Sequence, residues 1–137
     1  MINKKGVLNS VSVVEAIIKN KEDKVLLLKR SKSNKFYVGK WQLPGGKVEF
    51  GEDIQKAIKR EIYEEMGKKY SSLRLDKVFS LTEKFNGEKS NVFLMVFTGG
   101  FKGTICLSND HSEAKFFSIR QVKKLSLAPL SKKSLLG

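Results

Sequence analysis

The stretch "REIYEEMG", residues 60 to 67, sets Glu61, Glu64 and Glu65 within about one helical turn of each other, in a 137-residue chain of formal net charge +13. From Asp53 to Met66 the residues Ile54, Ile58, Ile62 and Met66 recur four apart, which predicts a helix, and Gly67 follows as its C-terminal breaker. On a wheel of about 100° per residue, with Glu61 at zero, Ala57 and those four side chains span roughly −40° to +140° and define the core-facing stripe. Glu65 falls inside that stripe, Glu61 lies between Ala57 and Ile54, and Glu64 stands at its margin, while Lys56, Lys59 and Tyr63 face water. A solvated acidic face would oppose the apolar stripe instead. Carboxylates so close together repel, and each costs on the order of several kcal/mol when partly desolvated unless positive charge compensates it. A divalent cation would do so. Oxygen-only ligands suit Mg²⁺ or Mn²⁺, whereas zinc prefers His or Cys, of which the chain has only His111 and Cys106. Arg60 is either a fixed donor that orients one carboxylate or an ordinary surface arginine.

Just upstream, "LPGGKVEFGE" carries Pro44, Gly45, Gly46, Gly51, Glu49 and Glu52. Glycines allow backbone to approach a ligand closely, so a carbonyl of Gly45 or Gly46 is a candidate metal ligand; the alternative is a plain loop. Glu52 either caps the helix start or holds the loop by hydrogen bonds.

The elements that must position these groups read as strands, with one long helix and one short one. "SVSVVEAII" (10–18) and "KVLLLKR" (24–30) are β-rich runs joined by the turn-like "NKED", which predicts a hairpin. The short apolar "WQL" runs into the tight loop at Pro44–Gly46. Beyond the helix, "LRLDKVFSLTEKF" and "SNVFLMVFTGGF" flank "NGEK" and predict a second hairpin. "AKFFSI" predicts a short strand and "IRQVKKL" a short terminal helix, while "LAPLSKKSLLG" is assignable neither as a packed end nor as a dimer contact. This order predicts an α+β domain with a mixed sheet, and the length fits a single domain over 1–137.

Hydrophobic residues make up 40% and charged residues 30%, an ordinary soluble balance, and no apolar run approaches the roughly 18 residues a membrane span needs. The N-terminal "MINKKGVLNS" lacks an apolar core and cleavage site, so no secretory signal is expected. The single Cys106 cannot pair internally, which fits a reducing cytoplasm, and its apolar neighbours predict a buried structural thiol. The positive charge is mostly dispersed lysine rather than clustered arginine; it favours phosphate-bearing partners without defining a nucleic-acid face.

"GKVEFGEDIQKAIKREIYEEMGK", Gly46 to Lys68, resembles the Nudix box, G-x5-E-x7-R-E-U-x-E-E-x-G-U with U a bulky apolar residue. Gly46, Glu52, Arg60, Glu61, Ile62, Glu64, Glu65 and Gly67 match, and only the last U departs, being Lys68. The preceding "WQLPGG", the order of strands and "NDHSEAKFFSI" are also similar to the family. The resemblance implies an α/β/α sandwich around a mixed sheet and hydrolysis of a nucleoside diphosphate linked to another group. It implies Mg²⁺ or Mn²⁺ held by Glu61, Glu64, Glu65 and the Gly45 carbonyl, with Glu52 structural or an outer contact and Arg60 orienting a glutamate. The general base would be Glu64 or another box glutamate, with Glu113 as a second candidate and His111 as a loop residue. "SLTEKFNGE" lacks both the proline common in ADP-ribose-cleaving members and the tyrosine common in those acting on dinucleoside polyphosphates. A nucleoside triphosphate, cut to monophosphate and pyrophosphate as in the MutT-like branch, is therefore the expected substrate, its base stacked on Phe36, Tyr37 or Phe85. The alternatives are an RNA 5′ end and a module that senses a nucleotide without cleaving it. A monomer and a homodimer both remain open.

Overall fold

The computed structural model describes residues 9–67, 72–85 and 87–137; Lys68 and the side chain of Phe85 lie outside the described parts. The β-branched run at the start forms β1 (Ser10–Lys19), which is buried on both faces. Such a run suits a central strand. Accordingly β1 pairs in parallel with β6 (Glu88–Gly100) from Ser10↔Asn91 to Lys19↔Gly100, and antiparallel with β4 (Gly45–Lys47). The expected hairpin with β2 (Val25–Arg30) closes only at Lys19↔Val25, after which the two strands part. β2 turns to β3 (Trp41–Gln42) and to β7 (His111–Phe117), pairing Val25↔Phe117 through Arg30↔His111. The second hairpin forms as expected, β5 (Arg74–Phe85) against β6. The result is one mixed seven-stranded sheet, in the order β3-β2-β1-β6-β5, with β4 on β1 and β7 on β2.

Successive side chains of β1 serve opposite faces. Val14, Ala16 and Ile18 join Leu26, Leu28 and Phe97 under Ala57, Ile58, Ile62 and Met66 of α1 (Ile54–Met66). On the other face lie α2 (Ile119–Val122) and α3 (Pro129–Leu136), whose Val122 and Leu135 pack with Leu27, Leu43 and Phe117. Helices therefore cover both faces, giving the expected sandwich. The unassigned C-terminal segment is a packed helix, with Pro129 at its first turn where a missing N–H costs nothing. Cys106 is exposed, not buried: its neighbours Ile105 and Leu107 turn toward the core, and the thiol between them points away. No helix among the described residues is long and apolar enough to cross a membrane.

Candidate active site

Asp53 starts α1 as its N-cap, its carboxylate accepting from the amides of Gln55 at 2.7 Å and Lys56 at 3.3 Å. Gly67 ends the helix in the left-handed conformation, φ 62°, its N–H donating to the Tyr63 carbonyl. These two ends fix the helical phase and so the direction of the glutamates. Glu65 is buried at 9% exposure, Glu61 is largely covered, and the Glu64 side chain is 55% exposed. The wheel thus places each acid correctly in rank, with Glu64 on the open side.

Arg60 joins the helix to the loop before it. Nε and Nη2 take both oxygens of Glu52 at 2.7 and 3.0 Å, Nη1 donates to Glu61 at 2.9 Å and to Glu64 at 3.3 Å, and Nη2 reaches the Lys47 carbonyl at 3.1 Å. Glu52 does not cap the helix; it holds the loop, accepting the Glu49 amide at 3.0 Å. The Arg60 hydrogen bonds pull the Glu52 carboxyl down to about 2. Burial pushes Glu61 up despite Arg60, and pushes Glu65 well above the usual carboxylate range despite the Gly45 N–H bonded to it at 2.8 Å.

The glycine pair sits against these carboxylates. A Cβ on Gly46 would lie 2.5 Å from the Glu61 carboxyl carbon, and one on Gly45 would meet the Val14 carbonyl at 2.1 Å. Only bare backbone fits here, so the acids and the loop carbonyls share one small cradle. The oxygen-only donor set, with the covered carboxylates of Glu61 and Glu65 set against the glycine backbone, fits a hard divalent cation. Among the described residues no group of three or more acidic, His or Cys side chains converges closely enough to hold a metal ion, so the glutamates do not form a ready-made cage.

The cradle opens into a cleft of about 540 Å³ lined by Glu65, Gly45, Gly46 and Lys47, by Phe36 and Tyr37, and by Glu15, Arg30, Gln42, Asp110 and His111. Phe36 and Tyr37 stand exposed on the loop between β2 and β3. The Ser31 hydroxyl and the Asn34 amide tie that loop to the carbonyls of Asn109 and Asp110, each at 2.6 Å, and Arg30 Nε donates to the Phe36 carbonyl. Arg30 Nη1 also fixes the Gln42 amide by donating to Oε1 at 2.9 Å, so the Gln42 amide nitrogen faces His111 Nε2 at 2.7 Å. His111 must accept there and carry its proton on Nδ1. Burial, then Arg30, holds its pKa down at about 4. His111 is thus a buried strand residue of the cleft rather than a loop residue, lying 3.8 Å from Glu65. Glu113 is exposed on β7 opposite Lys29 and does not line the cleft.

Glu15, Arg30, Gln42 and Asp110 were not among the residues singled out from the sequence. Glu15 left a signal, one acid inside an otherwise apolar strand; Arg30 and Asp110 are polar residues in polar company and left none, and Gln42, set between Trp41 and Leu43, was read only as part of a strand end.

A family model described as NUDIX domain matches residues 10–136. The chain belongs to the Nudix pyrophosphohydrolases. It is 36% identical over 120 residues to the ADP-ribose pyrophosphatase of Methanocaldococcus jannaschii, covering 87% of this chain and 68% of that protein. It is 29% identical over 119 residues to the RNA pyrophosphohydrolase of Wolbachia pipientis, covering 77% and 71%. The solved MutT protein of Methanosarcina mazei superposes with a TM-score of 0.77 at 27% identity, over 93% of this chain and 91% of that one. The Nudix domain of Shewanella oneidensis NrtR, solved with ADP ribose, superposes at 0.78 with 18% identity, a likeness of fold. Nudix hydrolases act on nucleoside diphosphate derivatives and generally use divalent metals, which suits the carboxylate rim.

Proposed function

We propose that this Nudix hydrolase cuts a nucleoside triphosphate to the monophosphate and pyrophosphate. The reading is carried by the acids and the glycine pair: Glu65 accepts the Gly45 N–H and lines the cleft with the exposed rings of Phe36 and Tyr37, Glu61 lies against Gly46, and Arg60 ties Glu64 beside Glu61. Mg²⁺ or Mn²⁺ bound by those carboxylates and the Gly45 carbonyl would neutralise charge developing on the phosphoryl oxygens and lower the pKa of bound water. The chain's own groups do the rest. Arg60 holds Glu61 and Glu64 in place, Phe36 and Tyr37 offer ring faces to a base, and Arg30 presents a cation to an anionic group in the cleft. Glu64, the open member of the trio and tied by Arg60 beside Glu61, is the general base ahead of Glu113, which is exposed on β7 opposite Lys29.

The 36% identity to an ADP-ribose pyrophosphatase favours ADP-ribose as a second reading, against the missing proline in "SLTEKFNGE". A panel of nucleoside triphosphates, ADP-ribose and 5′-triphosphorylated RNA, with products identified by mass, separates the readings. Monophosphate plus pyrophosphate from a triphosphate supports the first; AMP plus ribose phosphate alone replaces it with the second. On the preferred substrate, Glu64→Gln lowers kcat by about 10² or more with the fold intact. Near-normal turnover would remove Glu64 from the mechanism.

A further inference from the structure

Glu15 lies in the middle of β1 at 6% exposure, on the face covered by α3. A carboxyl there needs donors, and α3 supplies both: Ser131 Oγ donates to Oε2 at 2.8 Å and Ser134 Oγ to Oε1 at 2.7 Å. Three residues apart, the two serines share one face of the helix. Ser131 also accepts the Leu43 amide at 2.9 Å. A serine hydroxyl has one proton, so committing it to Glu15 turns the oxygen lone pairs toward Leu43. The segment from Leu43 to Gly45 is then pinned at each residue by a different element. The Leu43 N–H goes to α3, the Pro44 carbonyl accepts from Ala16 of β1 at 2.9 Å, and the Gly45 N–H goes to Glu65 of α1 at 2.8 Å.

We propose that Ser131, oriented by Glu15, is a positioning residue that fixes the path of the Leu43–Gly45 backbone and thereby aims the Gly45 carbonyl at the bound cation. This rests on the reading of Gly45 as a metal ligand. Ser134 bonds the other oxygen of the same carboxyl and, among the described residues, makes no hydrogen bond to that segment, so it separates a relay from a general loosening of α3.

The test titrates the full chain with Mn²⁺ alone, followed by water-proton relaxation at a temperature where every variant is folded by circular dichroism. Ser131→Ala weakens Mn²⁺ binding by about 10-fold. Ser134→Ala, which also loses a buried hydrogen bond and some Tm, stays within about twofold of the wild type. The near-isosteric Ser131→Cys serves in place of Ser131→Ala if the alanine variant does not fold, with the same expected weakening. Unchanged Mn²⁺ affinity in the Ser131 variant, or an equal loss in Ser134→Ala, overturns the relay and leaves the metal reading standing. Absence of Mn²⁺ uptake by the wild type overturns the metal reading and the relay with it.

Discussion

At residue scale the site is set by what is missing from Gly46. The Glu61 carboxylate occupies the space a side chain would take, 2.5 Å from an added Cβ, while Arg60 Nη1 holds it from the other side. Gly46→Ala therefore displaces Glu61 rather than destabilising the loop in general. The expected outcome is a loss of Mg²⁺ affinity of about 10-fold or more with Tm little changed, read by calorimetry and thermal melting. Equal metal affinity in the variant would show that Glu61 can bind from another rotamer. The same crowding explains the raised protonation of Glu61, since burial outweighs the arginine beside it.

At the scale of elements, α1 presents its acids only while its phase is fixed. The cap at Asp53 satisfies two amides of the first turn, and the Arg60–Glu52 pair ties the next turn to the loop that carries the glycines. These ties divide their work. Asp53 sits away from the cleft lining, so Asp53→Ala costs about 1 kcal/mol, or roughly 3–5 °C of Tm, while kcat below the melting range stays close to wild type. A large fall in kcat at low temperature would mean that the cap also sets the glutamates' direction. The Glu52 link, with its carboxyl held down at about 2, persists above the ordinary carboxylate range and is lost as pH falls from about 4.5 toward 2.

For the whole molecule, the acids collected in and around the cleft make the metal-free fold sensitive to pH. Burial raises Glu15 to about 7 and raises Glu61 and Glu65 as well. A carboxyl raised on folding stabilises fully below its unfolded pKa of about 4.5, and that contribution is lost as pH rises through the folded value. His111, lowered to about 4, acts in the opposite sense, but only below about pH 6.5. Between pH 6.5 and 8 the metal-free Tm therefore falls as pH rises, and Glu15→Gln flattens that slope. Mg²⁺ binds ionised carboxylates, so it raises Tm more at pH 8 than at pH 6.5. A metal-free Tm that climbs across this window would contradict the burial of these acids.

Much of the site was legible before the fold because α1 is local: the four-residue spacing of Ile54, Ile58, Ile62 and Met66 sets a helical phase, and that phase alone sorts Glu65, Glu61 and Glu64 by burial. The stop at Gly67, the β5–β6 hairpin and the box spacing are likewise short-range, and the sequence by itself determined them, whereas the N-cap fell on Asp53 and not on Glu52, which Arg60 draws into the loop. The divergence of β1 from β2, the docking of α3, the outward turn of Cys106, and the gathering of Glu15, Arg30, Gln42 and His111 into one cleft were decided by tertiary structure. Each depends on partners far apart in the chain, as Ser131 and Glu15 are, 116 residues from one another. No periodicity within a window of one element records which distant backbone or side chain will satisfy a buried polar group.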